Sequence, residues 1–465
     1  MIGSSHKVCN KKFSNTTQCK IPSFKQKVCT KALFYLNRLI SKKENGLIKI
    51  ITGIRRCGKS YLIFELYKSY LNSTGIDDAH IIQIQLDKKS FEDYRNPNRL
   101  YEYILAKINE KEKFYIFIDE IQLCYRVKKD NVDQSSVPEE DRDLLYTTFY
   151  DILNDLMSWK NLDIYVTGNN SRLLSKDVAT NFRDRGVEIQ LYPLSFSEYY
   201  EYAGGDKGDA WEEYMTYGGM PLAVLEKDEK KKEKYLKELF SKIYIADIKE
   251  RYNLKDEESL SVLINVLLSS VGSLTNPHKL NNTIESHLHE KLSDHTVKKY
   301  MDYLEDAFII KKADRYDIKG KRYLDFPSKY YVNDISLRNA RVNFRQQERT
   351  HIMENIIFNE LLCRGYSVDV GVVQVSSTEN GVQKKSNLEI DFIVNRGFNK
   401  IYIQSVFSVD DAEKRAQETR PLLNSGDFFK KIVIVNGSQK RTADENGIIY
   451  IGIIPFLLEK DSLEK

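Results

Sequence analysis

One short segment, Gly53 to Ser60, constrains what this chain can fold into more than any other feature. It reads GIRRCGKS and matches the pattern G-x-x-x-x-G-K followed by Ser or Thr. An apolar, β-branched run precedes it (LIKIIT), and a run with helical spacing of apolar residues follows it (YLIFELYKSYL). Glycines allow such a loop to wrap closely around an anion, and the helix directs its positive end at the same place. The segment therefore predicts a strand–loop–helix unit that binds the phosphates of a nucleotide.

The residues expected to line these phosphates are contiguous. Lys59 would reach the β- and γ-phosphates, and the Ser60 hydroxyl would ligate Mg²⁺. Arg55 and Arg56 are further candidates for phosphate contact, and they could equally pair with acids elsewhere in the chain. The predicted nucleotide-binding set is Gly53, Ile54, Arg55, Arg56, Cys57, Gly58, Lys59, Ser60 and Tyr61. The expected cofactors are ATP and Mg²⁺.

Two acids stand at the end of another predicted strand, further along the chain. The run FYIFID (residues 114–119) reads as a buried strand, and it ends on Asp119 and Glu120. Asp119 would hold the Mg²⁺, and Glu120 would orient or deprotonate the attacking water. Such acids are common at strand ends, but their position one strand–helix–strand interval after the glycine loop favours a nucleotide site.

A third strand, LDIYVTG, leads to further candidates. Asn169 is the first choice for an amide between the γ-phosphate and the attacking water, with Thr167 and Asn170 as alternatives. Arg183 or Arg185 could stabilise transition-state charge, within the same chain or across a subunit contact. Exposed surface arginines are the open alternative.

Composition bounds the class of protein. The 465 residues allow roughly three domains at about 150 residues each. A net charge of +4 excludes a strongly polycationic protein, so any nucleic-acid surface must be a local patch. No run approaches the ~20 apolar residues of a transmembrane helix. The six scattered cysteines show no CxxC pair, which favours a reducing compartment and a cytoplasmic location.

Strands that alternate with helices from about residue 47 predict an α/β class with a parallel sheet covered on both faces. We expect four regions: a basic, disordered tail (1–31), a phosphate-binding domain (32–205), a helical and winged-helix region (206–328) and a mixed α/β region (329–465). A transit peptide or a nucleic-acid-binding arm are alternatives for the tail, which has no acid before Glu44.

Residues 260–326 predict three helices and a hairpin, the order of a winged helix-turn-helix. Ser293 would cap the third helix. The exposed basic residues would be His295, Lys298 and Lys299 on this helix and Lys319, Lys321 and Arg322 on the hairpin. They could contact the phosphates of double-stranded DNA, although such folds also serve as packing or interaction modules. Further on, the spacing of Arg338, Arg341, Arg345 and Arg349 predicts one helix face, as a stripe for an acidic partner or as surface ion pairs.

The C-terminal acids resemble, in their order, a restriction-endonuclease-like core, whose carboxylates bind Mg²⁺ beside a scissile phosphate. A helix carries Glu354, a strand carries Glu389 and Asp391, and the next strand carries Gln404. That core calls for a lysine two residues after Gln404, and Val406 stands there. We therefore expect a degenerate fold without nuclease activity, with Glu354, Asp391 and Gln404 as a remnant site.

Taken in order, these elements resemble a family of AAA+-type P-loop ATPases that carry an uncharacterised C-terminal domain. The resemblance covers nearly everything after about residue 32, and PLSF with YGGMP is its most specific part. The matching stretches include TGIRRCGKS, FIDEIQ, YVTGNNSRLLS, YGGMPL, DIKERYNLKD, KYYVNDISLRNAR and EIDFIV. The resemblance implies ATP and Mg²⁺ binding, hydrolysis, a winged helix and an endonuclease-like C-terminal fold.

The main functional hypothesis is an ATP-dependent switch, in which hydrolysis alters the angle between the phosphate-binding domain and the helical region. One alternative is a DNA-binding module with a regulatory nucleotide site, and another is an ATP-gated nuclease, against which Val406 argues. The sequence leaves open whether copies of the chain assemble.

Overall fold

The computed structural model describes residues 29–464, apart from 131–136, 170–184, 255, 289–291, 346–347, 380–381 and 409–411. Residues 1–28 of the predicted tail (1–31) lie outside this part, and residues 29–31 belong to helix α1, which begins at Cys29. The helices in chain order are α1 (Cys29–Lys42), α2 (three successive segments, Lys59–Tyr61, Leu62–Tyr67 and Lys68–Ser73), α3 (Pro97–Leu105), α4 (Phe149–Leu156), α5 (Phe196–Ala203), α6 (Lys207–Tyr217), α7 (Pro221–Leu225), α8 (Glu229–Glu238), α9 (Ile245–Tyr252), α10 (Glu257–Ser269), α11 (Pro277–Leu288), α12 (Asp294–Asp306), α13 (Ile335–Arg341), α14 (Arg349–Cys363), α15 (Ala412–Leu423) and α16 (Ile453–Leu458). A π-helical turn, Leu239–Tyr244, joins α8 to α9.

The strands in chain order are β1 (Ile48–Thr52), β2 (Ile81–Gln85), β3 (Phe114–Asp119), β4 (Val127–Lys128), β5 (Tyr146–Thr147), β6 (Leu162–Gly168), β7 (Gly186–Gln190), β8 (Ile310–Asp317), β9 (Arg322–Val332), β10 (Ser367–Glu379), β11 (Val382–Arg396), β12 (Asn399–Val406), β13 (Lys430–Val435), β14 (Thr442–Ala443) and β15 (Ile449–Gly452). The strands predicted at 114–119 and 162–168 are confirmed residue for residue.

The first sheet is parallel and has the strand order β2-β3-β6-β1-β7. Every residue of β1 and β3 is buried, as expected where helices cover both faces of a parallel sheet. Because β6 lies between β1 and β3, the ends of these three strands meet at one edge of the sheet. The glycine loop, the acid pair and Asn169 therefore lie side by side.

Helices α10, α11 and α12 are followed by the antiparallel hairpin β8–β9, the order that the sequence predicts. The Ser293 hydroxyl caps α12 by accepting a hydrogen bond from the N–H of Thr296 (3.0 Å). The predicted apolar face of this helix is buried, at Val297, Tyr300, Met301, Leu304 and Phe308.

The second sheet is mixed and has the order β14-β15-β13-β12-β11-β10-β8-β9. Its C-terminal part contains α14, β10, β11, β12, α15 and β13 in succession, with β12 and β13 parallel. The α/β class with a following mixed region is thereby confirmed. The boundary expected between residues 328 and 329 falls inside β9, so the hairpin and the C-terminal region share one sheet.

Two adjacent glycines follow α6 and let the backbone pack closely against two other segments of the chain. A Cβ on Gly218, which has a φ of +63°, would lie 2.1 Å from Asp334 Oδ1, and one on Gly219 would lie 1.8 Å from the Leu194 carbonyl oxygen. Asp334 in turn accepts a hydrogen bond from the N–H of Gly219 (2.8 Å). Burial raises the pKa of Asp334 to about 6. The YGG sequence is therefore explained by close approach of the backbone to Asp334 and Leu194. In the described part of the chain, no helix is both long and apolar enough to cross a bilayer.

Candidate functional site: a phosphate loop at the sheet edge

The phosphate loop (residues 53–59) leaves the carboxyl end of β1 and needs a glycine at each end. Gly53 has a φ of +140°, and a Cβ there would lie 2.1 Å from the Leu191 carbonyl oxygen. Gly58 has a φ of +107° and directly precedes α2, with open space where a Cβ would stand. Both positions thus need a residue that tolerates positive φ. The remaining predicted positions lie where the sequence suggests, with Cys57 buried, Ser60 half-buried on the first turn of α2 and Tyr61 exposed.

Lys59 lies inside the loop and is only 4% exposed. Its ammonium donates hydrogen bonds to the carbonyl oxygens of Gly53 (2.9 Å) and Ile54 (3.1 Å). Both acceptors are neutral, and a negatively charged phosphate oxygen attracts the ammonium more strongly than a carbonyl dipole does. A phosphate oxygen can therefore take Lys59 from these carbonyls, and the loop fits an anionic ligand.

The acid pair at the end of β3 is held by β6. The Thr167 hydroxyl donates to Asp119 Oδ1 and accepts from the N–H of Glu120 (2.9 Å). Asp119 is 3% exposed, and its carboxylate has lone pairs beyond the one that Thr167 uses. These positions suit a carboxylate that ligates a cation with Ser60. The sequence left Thr167 as a sensor alternative, and in the structure it holds both acids.

Glu120 has a backbone conformation that is rare for a non-glycine residue and a carboxyl group with a raised pKa. Its φ is +54°, in the left-handed region that non-glycine residues seldom adopt. Burial raises the pKa of its carboxyl above the ordinary value, and the charge of Asp119 adds to this, although Lys59 opposes it. Backbone strain and a raised pKa are both typical of groups that handle protons at a site.

Asn169 is buried and belongs to a network that the sequence analysis missed. Its Oδ1 accepts hydrogen bonds from Arg251 Nη2 (2.7 Å) and Gln122 Nε2 (3.2 Å), and Gln122 also donates to Glu120. Gln122 stands two residues after Glu120, and this closeness in the sequence could have indicated that Gln122 belongs to the site. Arg251 lies 82 residues from Asn169 in the chain. The sequence marked it only as part of DIKERYNLKD, one of the stretches that resemble the ATPase family.

Helix α9, which carries Arg251, also contacts the phosphate loop. Arg55 forms an ion pair with Asp247, and the Tyr244 hydroxyl, at the end of the π-helical turn, donates to the Arg55 carbonyl oxygen (3.0 Å). The alternative in which Arg55 pairs with an acid elsewhere is therefore the arrangement observed. Arg56 is exposed, with a φ of +66°. One helix of the region after residue 206 thus touches both the loop and the sensor position.

Of the two predicted finger arginines, only Arg185 lies in the described chain, and it does not reach the loop of its own subunit. Arg185 precedes β7, and its carbonyl accepts from the N–H of Ile48, at the amino end of β1. The loop leaves the other end of β1, roughly 15 Å away at about 3.3 Å per residue. A role for Arg185 within its own subunit is therefore excluded by the register, and a role across a subunit contact stays a prediction. Arg183 and Asn170 lie outside the described residues.

In the C-terminal region, the predicted remnant residues come together around a lysine that the sequence analysis overlooked. Lys329 Nζ lies 2.8 Å from Glu354 Oε1, 2.8 Å from Glu389 Oε1 and 3.5 Å from Asp391 Oδ1. Gln404 is buried beside them, where its Oε1 accepts from the N–H of Asp391 (3.3 Å). We call Lys329, Glu354, Glu389 and Asp391 the carboxylate cluster.

The six basic residues of the predicted DNA surface are all exposed. The predicted arginine stripe is wrong, because α13 ends at Arg341 and α14 begins at Arg349. Arg338 is buried, Arg341 bonds Asn265 (2.6 Å) and Arg349 pairs with Glu212. Arg338 donates to Asn339 (3.2 Å), so three of these four arginines bond within the chain rather than form a docking stripe.

Comparison with known proteins gives a family but no assigned activity. A family model described as an AAA domain matches residues 45–200, and one described as a domain of unknown function matches residues 208–348. An uncharacterized protein from Haemophilus influenzae is 35% identical over 431 residues, which cover 91% of this chain and 98% of that protein. Uncharacterized protein MJ1544 from Methanocaldococcus jannaschii is 28% identical over 432 residues, or 88% of this chain and 87% of that protein. The solved structure of the Aeropyrum pernix ORC2 protein, in ADPNP-ADP complexes, aligns with 12% identity and a TM-score of 0.35, covering 74% of this chain and 95% of that chain.

Proposed function

This chain belongs to the family of its Haemophilus influenzae relative and carries an AAA domain, and from that premise we propose that it binds and hydrolyses Mg-ATP to drive a conformational switch. The observation that carries the proposal is the meeting of three strand ends at one sheet edge. Lys59 follows β1, Asp119 and Glu120 end β3, and Asn169 follows β6. Phosphoryl transfer needs a phosphate cradle, a metal ligand and a group that positions water within one site.

Each of these side chains has a role that follows from its contacts. Lys59 exchanges its two neutral carbonyl partners for phosphate oxygens. Ser60 and Asp119 would hold Mg²⁺, which when bound neutralises charge on the phosphates. Glu120 accepts the proton of the attacking water or orients it, and its raised pKa makes it a better proton acceptor than an ordinary carboxylate.

The switch is supported by the contacts of α9. Asn169 accepts a hydrogen bond from Arg251 through its side-chain oxygen. A bound phosphate or an attacking water beside Asn169 would compete for the same amide. A nucleotide that turns Asn169 or displaces the loop therefore changes what Arg251 and Arg55 hold, and α9 moves with them. Two discrete arrangements of one helix are the physical requirement for a switch.

The proposal is tested by nucleotide-dependent stability and turnover. With Mg-ATP at 100 times its dissociation constant, the wild type should gain about 2.7 kcal/mol of stability, and Lys59→Met should gain none. Lys68→Met, on the same helix but paired with Asp78, is the matched control and should behave as wild type. Equal stabilisation of the wild type and K59M would remove the nucleotide site.

Turnover separates binding from hydrolysis. Glu120→Gln should retain the ATP-dependent stabilisation and lose turnover by 100-fold or more, on the order expected for loss of a general base. Glu65→Gln, an exposed carboxylate on α2, is the control and should leave turnover unchanged. Turnover by E120Q at the wild-type rate would exclude Glu120 as the group that activates water.

A second candidate function, binding of double-stranded DNA, is favoured by the exposure of all six basic residues on the helix–hairpin unit. Changing Lys298, Lys299, Lys321 and Arg322 to Ala should lower the slope of log affinity against log salt. An unchanged slope would instead favour a protein-interaction role for this unit.

A homo-oligomer in which Arg185 reaches a neighbouring active site is a further part of the proposal. Because Arg185 is exposed at the far edge of its own sheet, mixing R185A with K59M chains should restore some turnover if the sites are shared. A cytoplasmic location is also proposed, in keeping with Cys57, Cys124 and Cys363, which form no disulfide within the described part of the chain.

A further inference from the structure

The carboxylate cluster occupies the position where the order of C-terminal elements leads one to expect a divalent metal. Glu354 projects from α14, and Glu389 and Asp391 project from one face of β11. In a metal-dependent phosphodiesterase these carboxylates would converge on Mg²⁺. Here they converge on the ammonium of Lys329, which enters from β9 and is 4% exposed.

The donor set does not fit a metal ion while this ammonium is present. Glu354 and Glu389 each place an oxygen 2.8 Å from Nζ, which is a hydrogen-bond distance. Across the part of the chain that is described, no three His, Cys, Asp or Glu side chains are grouped so that they could hold a metal. Two like-charged cations cannot share so small a volume without a large repulsion.

Two further groups of the protein donate to the carboxylates of the cluster. The Tyr331 hydroxyl donates to Glu354 Oε1 (2.6 Å), and the N–H of Ser405 donates to Asp391 Oδ2 (2.8 Å). Gln404 donates to Glu418 (3.3 Å) and contributes no charge. The side chain at Val406, where the endonuclease pattern calls for a lysine, is buried in the core. The cluster is thus completed by groups that stabilise Lys329.

We propose that Lys329 is the resident cation of this cluster, and that it substitutes for a divalent metal and pins strand β9 to α14 and β11. The C-terminal region is then a structural and coupling module rather than a metal-dependent nuclease. Its ion cluster fixes the hairpin β8–β9, and with it the α10–α12 unit, against the C-terminal sheet. Removal of the ammonium leaves the carboxylates without a counter-charge, and we expect a divalent cation to draw them together in its place.

The ionisation of the cluster agrees with a bound ammonium. Burial alone would raise the pKa of Glu354, but the charge of Lys329 and the hydrogen bonds to it bring that pKa down to about 2. Burial likewise opposes the charge of Lys329, yet the surrounding oxygens hold its pKa well above the ordinary value. Burial and the charge of Glu354 raise the pKa of Asp391 to about 7. Glu354 is therefore ionised opposite the lysine, whereas Asp391 exchanges its proton near neutral pH.

The experiment is a Mn²⁺ titration of the full chain without nucleotide, followed by thermal unfolding and by Mn²⁺ electron paramagnetic resonance. Millimolar Mn²⁺ should leave the wild type unchanged and should raise the melting temperature of Lys329→Met. The double variant K329M/E389Q should lose most of that rise, because one ligand is gone. Lys311→Met, an exposed lysine on β8 paired with Glu305, is the matched control and should show no Mn²⁺ response.

Two results would overturn the proposal. One is a failure of Mn²⁺ to stabilise K329M, whether that chain folds or not. The other needs no variant of the lysine: Mn²⁺ binding by the wild type that Glu389→Gln abolishes, or DNA cleavage by the wild type that requires Glu354. Either outcome of this second kind would show that a metal enters beside or instead of Lys329.

Discussion

Two buried lysines of this molecule are equally hidden from solvent and differ in what they bind. Lys59 and Lys329 are each 4% exposed. Lys59 donates to two neutral carbonyl oxygens of its own loop, whereas Lys329 lies among three carboxylates. A buried ammonium needs compensation in both cases, because desolvation of an unpaired charge is prohibitive.

The difference teaches when a buried lysine is available to a ligand. Neutral acceptors compensate an ammonium only partly, so a phosphate oxygen can displace them with a net gain. Carboxylates compensate it fully, and breaking such a pair leaves buried charges behind at a cost of roughly 3–5 kcal/mol. On this argument Lys59 can exchange its partners for a ligand, whereas Lys329 holds strand β9 permanently against α14 and β11.

The largest expected effect separates the two lysines by stability without nucleotide. Lys329→Met should lower the free energy of unfolding by about 3–5 kcal/mol near pH 8, since Glu354 and Glu389 lose their counter-charge. Lys59→Met should cost less, because its removal leaves two neutral carbonyl groups without a donor and leaves no buried charge unpaired. Urea denaturation followed by circular dichroism measures both. Similar losses in the two variants would contradict the distinction between an exchangeable and a fixed lysine.

A smaller effect concerns pH. The folded chain holds a proton on Asp391, whose pKa is about 7, at pH values where the unfolded chain has released it. Stability from this group is therefore lost as the pH rises toward and through 7, by roughly 2 kcal/mol between pH 5.5 and pH 8. Glu354, with a pKa of about 2, loses its contribution only in more acidic solution.

Asp391→Asn tests this directly, because an amide does not titrate. The difference in unfolding free energy between D391N and the wild type should change by that amount across the same pH range. Lys329, Glu354, Glu389 and the nearby His351 are present in both proteins, so their titration largely cancels. Asp93→Asn, on an exposed carboxylate, is the control. A pH-independent difference for D391N would mean that the cluster is fully ionised.

The features that the sequence could predict are local, and those that it could not are contacts between distant segments. The phosphate loop, the acids that end β3 and the amide after β6 follow from strand ends and short spacing. Arg251 and Lys329 reach their partners across 82 residues and at least 25 residues of chain, respectively. The periodicity of the sequence does not indicate such a contact, because it depends on how helix α9 and strand β9 pack.

Some signal for Lys329 was nevertheless present. Lys329 and Tyr331 alternate along one strand face, and in the structure both bond Glu354. A lysine and a tyrosine on the buried face of a strand indicate an acid opposite them. The failure of the arginine stripe has the converse cause: its spacing suits a helix, but the segment after Arg341 has Asn343 and Phe344 with positive φ, which ends the helix.

The smallest expected effect is at the contact between α9 and the phosphate loop, and it sharpens the comparison. Arg55 and Asp247 form an ion pair whose side chains are 41% and 22% exposed. Pairs of this exposure contribute about 0–1 kcal/mol. A double-mutant cycle with Arg55→Met and Asp247→Asn should therefore give a coupling energy in that range, whereas the cycle on Lys329 and Glu354 should give several times more. The proposed switch requires a weak contact, because in that proposal α9 leaves the loop when nucleotide binds or is hydrolysed. A coupling of about 3 kcal/mol or more at Arg55 would mean that α9 is held as firmly as β9, and hydrolysis could then not move it.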